Sequence, residues 1–259
     1  MQLEASYFTH QGDRERNEDA LLIDRELIGS DALASPNDEA KAIVSKSFEN
    51  HKALFALADG MGGEGNGEEA SFLVLKELLD RYENLSSCES IITTIHSAKE
   101  SLDNKVKEDS SRLNFGSTIA GILFLGDRAI IFNSGDSRVY RLSGAFLEQI
   151  SKDHSYVQNL VDDGLLDSAK INENPYKNIL TSAIVGDQSE QKPNIEIKTL
   201  ELEQNETFLI CSDGVWEAME LESMEACFNE HNPIECLIEK VNISQDRDNF
   251  SIIVVEVKQ

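Results

Sequence analysis

The segment at 118–125, TIAGILFL, is apolar at both alternating sets of positions. Successive side chains of a β-strand point to opposite faces of its sheet, so a strand of this kind is apolar on both faces and both must be covered. Four other short runs of apolar and β-branched residues also predict strands, at 53–58, 129–133, 207–211 and 251–257. The chain therefore requires further layers on both sides of its sheet.

Two segments predict amphipathic helices that supply such layers. The helix at 68–82 is expected to bury Phe72, Leu75, Leu79 and Tyr82, and the helix at 91–106 is expected to bury Ile91, Ile95, Ala98, Leu102 and Val106. Two consecutive helices between runs of strands favour an α+β fold over a regular βαβ alternation. Two packed sheets with helices outside both would cover every apolar face. The polar segment 28–50 is interpreted as a long loop or a small excursion between two strands.

The charge balance excludes some partners. The chain has 48 acidic and 23 basic residues, a formal net charge of −25. Such a charge disfavours binding to nucleic acid and to anionic membranes, because both are densely negative. We expect most of these carboxylates to form a solvated surface.

The cellular location is predicted from two segments that the sequence lacks and from its cysteines. No stretch approaches the ~20 apolar residues of a membrane span, and the first residues lack the apolar run of a secretory leader. The four cysteines, Cys88, Cys211, Cys227 and Cys236, form no CxxC pair, so we expect reduced and mostly buried thiols. These features predict a cytoplasmic protein.

Five acidic residues lie beside predicted strands or glycine turns: Glu18, Asp19, Asp59, Asp213 and Asp248. Carboxylates grouped at one end of a sheet repel by roughly 4 kcal/mol per pair at 4 Å and an effective dielectric constant of 20, unless cations compensate them. Oxygen ligands without a His or Cys cluster suit Mg²⁺ or Mn²⁺ rather than Zn²⁺. A single Asp-Gly pair is more often a turn, so the inference depends on the joint set.

Seven motifs in this order resemble those of the PPM/PP2C-type protein phosphatases, and the bacterial members in particular: RERNEDA (14–20), ADGMGG (58–63), FGSTIA (115–120), NSGDSRVY (133–140), DHS (153–155), SDG (212–214) and DN (248–249). The resemblance extends from about Tyr7 to Val257. It implies a four-layer αββα sandwich of two antiparallel sheets flanked by helices. It further implies one catalytic domain over 1–259, with a flap at approximately 154–187 beside the active site.

By the same resemblance, Asp59 would bridge two metal ions, with the carbonyl of Gly60 as a further ligand. Glu18 and Asp19 match the ligands of one ion, and Asp213 and Asp248 match those of the other. The implied reaction is hydrolysis of phosphoserine and phosphothreonine by a hydroxide between two Mn²⁺ or Mg²⁺ ions.

Three further positions match functional residues of the family. Arg14 matches the arginine that binds the substrate phosphate, although a surface ion pair with Glu15 or Glu18 is the alternative. Asn249 matches a residue that supports the last metal aspartate. Asp136 matches a ligand of a third, weaker metal, although a glycine-flanked aspartate at a strand end is more commonly a turn former.

The sequence also departs from the family pattern. Met61 occupies the position where many eukaryotic relatives have a histidine, and TSAIVG at 181–186 lacks an arginine that bacterial relatives often have. The specificity of the flap is therefore not predicted. His10 and His154 are the nearest histidines in sequence, and we expect both to be structural.

Two other kinds of function were compared with the phosphatase. A catalytically inert relative would bind metal or phosphopeptide as a scaffold, but such relatives typically lack metal aspartates, and all five acidic positions are present here. A calcium-binding protein would need an EF-hand loop, which the chain lacks. The expected partners are phosphoprotein substrates of a Ser/Thr protein kinase, and the expected oligomeric state is a monomer.

Overall fold

The computed structural model describes residues 2–29, 44–49, 51–62, 66–171 and 174–258, with the side chain of Ala169 excepted. The strands in these ranges are β1 (Gln2–His10), β2 (Asp19–Ile23), β3 (Glu26–Ile28), β4 (Val44–Glu49), β5 (Lys52–Met61), β6 (Phe115–Ser117), β7 (Ile119–Leu125), β8 (Arg128–Ser134), β9 (Arg138–Ser143), β10 (Phe146–Gln149), β11 (Ile184–Gly186), β12 (Glu196–Glu201), β13 (Thr207–Cys211) and β14 (Phe250–Lys258). The α-helices are α1 (Asn66–Asp80), α2 (Cys88–Glu108), α3 (Tyr156–Asp162), α4 (Asp213–Trp216), α5 (Leu221–Cys227) and α6 (Pro233–Ile243).

The strands form two antiparallel sheets. The six-stranded sheet has the order β10-β9-β13-β14-β1-β4. The eight-stranded sheet has the order β11-β6-β5-β7-β8-β12, with β2 paired to β5 and β3 paired to β2. Both chain-terminal strands, β1 and β14, are neighbours in the first sheet, where Gln2 lies opposite Lys258.

The central strand β7 confirms the two-faced pattern read from its sequence. Ile119 and Leu123 pack toward α1 and α2, whereas Ala120, Ile122 and Phe124 pack between the two sheets. Phe124 contacts Phe208 of the other sheet edge-to-face, with ring centroids 5.8 Å apart. Alternate side chains of this strand therefore belong to two separate apolar layers.

The outer faces are covered by helices. The α1–α2 pair packs on the eight-stranded sheet, and α4, α5 and α6 pack on the six-stranded sheet. The predicted α+β class and the four-layer αββα sandwich are both confirmed. No helix in the described ranges is long and apolar enough to cross a membrane.

The two predicted helices differ in how well their buried faces were anticipated. All five residues expected on the buried face of α2 are buried, and Ser87 caps its first turn. The stripe predicted for α1 is partly wrong, because Phe72 is 40% exposed and the buried arc contains Ala70, Val74 and Leu78. Helix α1 contacts both β5 and α2, so its buried arc is set by two neighbours rather than one.

The segment 28–50 contains a strand that was not predicted. Residues 44–49 form β4, which pairs antiparallel with β1 at the edge of the six-stranded sheet. One face of β4 is only half-buried and the other is exposed, so its apolar periodicity is weak. Residues 30–43 and 50, which belong to the same predicted loop, lie outside the described residues.

The expectation of four reduced thiols is wrong for one pair. Cys227 at the end of α5 and Cys236 in α6 form a disulfide, with Cα atoms 5.4 Å apart. The two residues are nine positions apart. This spacing does not predict a disulfide by itself, because the two cysteines meet only where the two helices pack together. Cys88 and Cys211 are free thiols, as expected.

Candidate active site

The acidic residues singled out in the sequence lie at one end of the sandwich. Asp19 is the first residue of β2 and lies directly opposite Asp59, near the end of β5. Asp213 follows β13 at the start of α4, and Asp248 lies two residues before β14. The first two belong to one sheet and the last two adjoin the other, so the site spans both sheets.

A hydroxyl joins the two sheets at this point. Ser212, the residue before Asp213, donates a hydrogen bond from Oγ to Oδ2 of Asp19 at 2.9 Å. The other carboxylate oxygen of Asp19, Oδ1, is buried and has no hydrogen-bond partner. A buried carboxylate oxygen without a donor is energetically costly, and a cation is the partner that such an oxygen suits.

The carboxylates influence one another strongly. Burial, together with the charges of Asp248 and Glu18, raises the pKa of Asp19 to about 6, although the hydrogen bond from Ser212 opposes this shift. Burial, followed by the negative charge of neighbouring aspartates, raises the pKa of both Asp59 and Asp213 well above the ordinary range. The negative charge of each aspartate thus raises the pKa of the neighbouring aspartates.

Glu18 and Gly60 lie against the start of α1. The Oγ of Ser71 and the backbone N–H of Gly60 both donate to the carbonyl of Glu18, at 2.6 and 3.0 Å. A side chain on Gly60 would lie 2.0 Å from the carbonyl oxygen of Gly67, so only glycine fits. Burial raises the pKa of Glu18, while a hydrogen bond from the backbone of Gly67 lowers it.

Oxygen donors of this kind fit a hard divalent cation such as Mg²⁺ or Mn²⁺. Within the described residues, no three His, Cys, Asp or Glu side chains already converge as a coordination shell. Buried carboxylates of like charge stay apart unless a cation lies between them, and Asp248 is turned toward a different partner.

That partner is Arg14, whose Nη2 lies 2.6 Å from Oδ2 of Asp248. The side chain of Arg14 is 61% exposed at the rim of the site. The sequence alternative was an ion pair with Glu15 or Glu18, whereas the observed partner is Asp248, 234 residues away in sequence.

Asn249 connects the loop before β2 to the start of β14. Its Oδ1 accepts from the backbone N–H of Glu18 at 2.8 Å, and its Nδ2 donates to the carbonyls of Gln11 and Arg16 at 2.9 and 2.8 Å. The amide thus holds the loop that carries Arg14 and Glu18 beside Asp248.

Asp136 lies in the turn between β8 and β9, and it is 6% exposed. Burial raises its pKa to about 7, with Asp153 raising it and Arg138 opposing. Its carbonyl accepts a hydrogen bond from Trp216 Nε1 at 3.1 Å. Trp216 lies three residues after Asp213, so α4 contacts the turn directly.

Each of the two histidines accepts a hydrogen bond from a nearby backbone N–H. Nδ1 of His154 accepts from the backbone N–H of Gly135 at 3.1 Å, and Nδ1 of His10 accepts from that of Gly12 at 2.9 Å. Sequence reasoning missed the hydroxyls around the aspartates, namely Ser117, Thr118, Ser137, Ser212 and Ser251. Four of them stand inside or directly beside quoted motifs, which was the available signal.

Comparison with known proteins identifies the family to which the chain is similar. Residues 34–244 match the family model for protein phosphatase 2C. The serine/threonine protein phosphatase PstP of Mycobacterium tuberculosis is 29% identical over 214 residues, which cover 79% of this chain and 40% of PstP. The serine/threonine phosphatase stp of Listeria monocytogenes is 28% identical over 222 residues, which cover 81% of this chain and 87% of stp. The chain thus spans less than half of the mycobacterial relative and most of the listerial one.

Solved structures show the same fold. The crystal structure of M. tuberculosis PstP/Ppp superposes with a TM-score of 0.81 at 25% identity, covering 100% of both chains. The catalytic domain of PstP in complex with two manganese ions gives a TM-score of 0.76 at 24% identity, again over 100% of both chains. Because the family match covers most of the chain, this protein belongs to the protein phosphatase 2C family.

Proposed function

We propose that the protein is a metal-dependent protein phosphatase that removes phosphate from phosphoserine and phosphothreonine of other proteins. The single observation that supports this function most is the buried group of interacting carboxylates, Asp19, Asp59 and Asp213, in a chain of the protein phosphatase 2C family. Such a group is stable in its ionised form only with cations.

The proposed ligands follow from their placement. Asp59 lies centrally, opposite Asp19 and within the field of Asp213 and Asp248, so it is the residue suited to bridge two cations. Glu18 and Asp19 would hold one cation, Asp213 and Asp248 the other, and the carbonyl of Gly60 would add a ligand. When bound, two such cations supply a water nucleophile of lowered pKa and neutralise charge on the phosphoryl oxygens.

Arg14 is proposed to bind the substrate phosphate. Its guanidinium lies at the rim, 2.6 Å from Asp248, and it is exposed enough to exchange that carboxylate for a phosphate oxygen. A guanidinium donates two parallel hydrogen bonds to a phosphate, which fixes the direction of the phosphoryl group. Asn249 would keep the Arg14 loop beside Asp248 during this exchange.

Finer points of the proposal concern the cation, the flap and the partners. Mn²⁺ or Mg²⁺ would occupy the pair of sites, and Asp136 would hold a third, weaker cation. We also propose one catalytic domain with a flap at about 154–187, monomeric and cytoplasmic. Its substrates would be phosphoproteins made by a Ser/Thr protein kinase.

The test is hydrolysis of a phosphothreonine peptide by the purified chain with and without Mn²⁺. We expect turnover with Mn²⁺ or Mg²⁺ and its loss in excess EDTA, with recovery when Mn²⁺ is restored. Full activity in excess EDTA would overturn the cation assignment. Cation binding without any hydrolysis would instead favour the inert scaffold.

A further inference from the structure

The backbone around Asp59 is held by side chains in a manner that a regular sheet does not require. The strands β5 and β7–β6 pair in one register on both sides of this residue, with Leu57 opposite Ala120 and Gly60 opposite Ser117. At Asp59, however, the backbone N–H donates to Oγ1 of Thr118 at 3.1 Å, in place of a carbonyl. The backbone N–H of Thr118 in turn donates a hydrogen bond to the carbonyl of Asp59 at 2.8 Å.

The hydroxyl of Thr118 has a second partner on another element. Its Oγ1 lies 2.7 Å from Oγ of Ser137, the residue that follows Asp136. Both residues are buried, with exposures of 2% and 0%, so water does not compete for this contact. One hydroxyl pair therefore connects the strand end that carries Asp59 with the turn that carries Asp136.

The turn fits tightly against the same threonine. Gly135 has a φ of +113°, and a Cβ at this position would lie 2.6 Å from the side chain of Thr118. Trp216 donates a hydrogen bond to the carbonyl of Asp136 in the same turn. The turn thus contacts both Thr118, which is hydrogen-bonded to Asp59, and Trp216, which lies in the same helix as Asp213.

We propose that Thr118 and Ser137 are positioning residues, whose paired hydroxyls hold the end of β5 that carries Asp59 against the turn that carries Asp136. This inference rests on the proposed function, because it concerns how Asp59 is held for its cations. Neither hydroxyl is assigned to a cation or to the substrate. Their effect is on the orientation of the Asp59 backbone.

The test compares Thr118→Val, Ser137→Ala and the double variant by calorimetric titration of the cation-free protein with Mn²⁺. Ser137→Ala should weaken Mn²⁺ binding about tenfold, the effect of one lost hydrogen bond of ordinary net strength. Thr118→Val should weaken it more, because it also removes the acceptor of the Asp59 N–H. The double variant should bind Mn²⁺ about as tightly as Thr118→Val alone, because Thr118→Val already breaks the contact with Ser137. Thr118→Ser, which keeps the hydroxyl, should restore the affinity.

The matched control is Thr94→Val in α2, which removes another buried hydroxyl, one that donates to the carbonyl of Ser90 at 2.8 Å. It should lower the melting temperature while leaving Mn²⁺ affinity unchanged, so stability and positioning are separated. Ser137→Ala leaves the partner of the Asp59 N–H in place and carries the test even where Thr118→Val does not fold.

Unchanged Mn²⁺ affinity in Ser137→Ala, or independent losses that multiply in the double variant, would overturn the inference while the proposed function stands. A wild-type protein that takes up no Mn²⁺ would overturn the proposed function instead, and this inference with it.

Discussion

At the scale of single residues, the candidate site consists of acidic side chains that repel one another. Asp59 lies opposite Asp19 and near Asp213, and burial together with these charges raises the pKa of its carboxyl. Such residues do not stabilise the fold, because ionised carboxylates without partners are costly when buried. Cations would neutralise these carboxylates. Among the ion pairs of the described residues, Arg14 is the one guanidinium that pairs with one of the five acidic site residues, namely Asp248.

Asp59→Asn should lower kcat for phosphopeptides on the order of a thousandfold, because the neutral amide cannot bridge two cations. The same change should raise the melting temperature of the cation-free protein, since one charge of the repelling group is gone. Steady-state kinetics measure the change in kcat, and thermal denaturation in EDTA measures the change in melting temperature. Turnover close to that of the wild type would remove Asp59 from its proposed position as the bridging ligand.

Arg14→Ala should raise KM for phosphopeptides more than it lowers kcat. A lost charge-assisted hydrogen bond corresponds to roughly 1.5–3 kcal/mol, or about 10- to 150-fold. Arg25→Ala is the matched control, because Arg25 is similarly exposed and pairs with Glu83 2.6 Å away. If both variants keep the wild-type KM, Arg14 is a surface residue that only pairs with Asp248.

At the scale of elements, short segments at the strand ends do most of the positioning. Helix α4 has only four residues, yet it carries both Asp213 and Trp216, the residue that holds the β8–β9 turn. The segment proposed as a flap contacts the end of the same helix, because Lys177 pairs with Glu217, the residue after α4, at 2.8 Å. The long helices α1 and α2 mainly cover apolar surface, apart from the contacts of Ser71 and Gly67 with Glu18.

Asp136→Ala tests the turn between β8 and β9. The variant should retain the two tight cations, yet lose turnover of a phosphoserine peptide, whose leaving oxygen needs a proton. An aryl phosphate, whose leaving group hardly needs a proton, should be affected much less. Parallel kinetics on the two substrates, with Mn²⁺ titrations, provide the measurement. Equal losses would mean that Asp136 serves the fold or the main pair of cations.

At the scale of the whole molecule, two features act together. The four layers bury the strand ends deeply enough to raise the pKa of the aspartates, and the formal net charge of −25 gives the whole molecule a negative field. The first feature makes stability depend on pH and on cations. The second makes association with charged substrates depend on salt.

The cation-free protein should become less stable as pH rises from about 4 to about 7. Asp19 and Asp136 have pKa values raised to about 6 and about 7, whereas aspartate in an unfolded chain titrates at about 4. The folded state then binds more protons than the unfolded state in this window, so the free energy of unfolding decreases with pH. Thermal denaturation in EDTA measures the slope, and Asp19→Asn should reduce it. Asp80→Asn, at the exposed end of α1, is the matched control, and a slope of opposite sign would contradict the assignment.

Substrate charge should determine the response to salt. For one phosphothreonine flanked by Lys or Arg, kcat/KM should fall several-fold as NaCl is raised from about 0.05 M to about 0.5 M, because attraction to the acidic surface is screened. The same phosphothreonine flanked by Asp or Glu should show the opposite trend. Identical salt profiles for the two peptides would show that the global field does not steer substrates.

Local sequence predicted five of the strands (β5, β7, β8, β13 and β14), the α2 helix and the identity of the acidic residues. Periodicity reports which faces of a strand or helix are apolar, and that information is contained in neighbouring residues, as the two faces of β7 illustrate. The motif order further determined which carboxylates to compare, and the structure brings all of them to one end of the sandwich.

Tertiary structure decided the features that depend on which surfaces meet. The buried arc of α1 differs from the predicted one because two neighbouring elements cover the helix. The strand β4 was not predicted because this edge strand has a weak apolar pattern. The Cys227–Cys236 disulfide depends on the packing of two helices. The partner of Arg14 is 234 residues away, and the Thr118–Ser137 contact joins the β6–β7 junction to the β8–β9 turn. Local periodicity carries no information about such distant pairs, because a hydrogen bond or ion pair depends on distances that only the packed layers set.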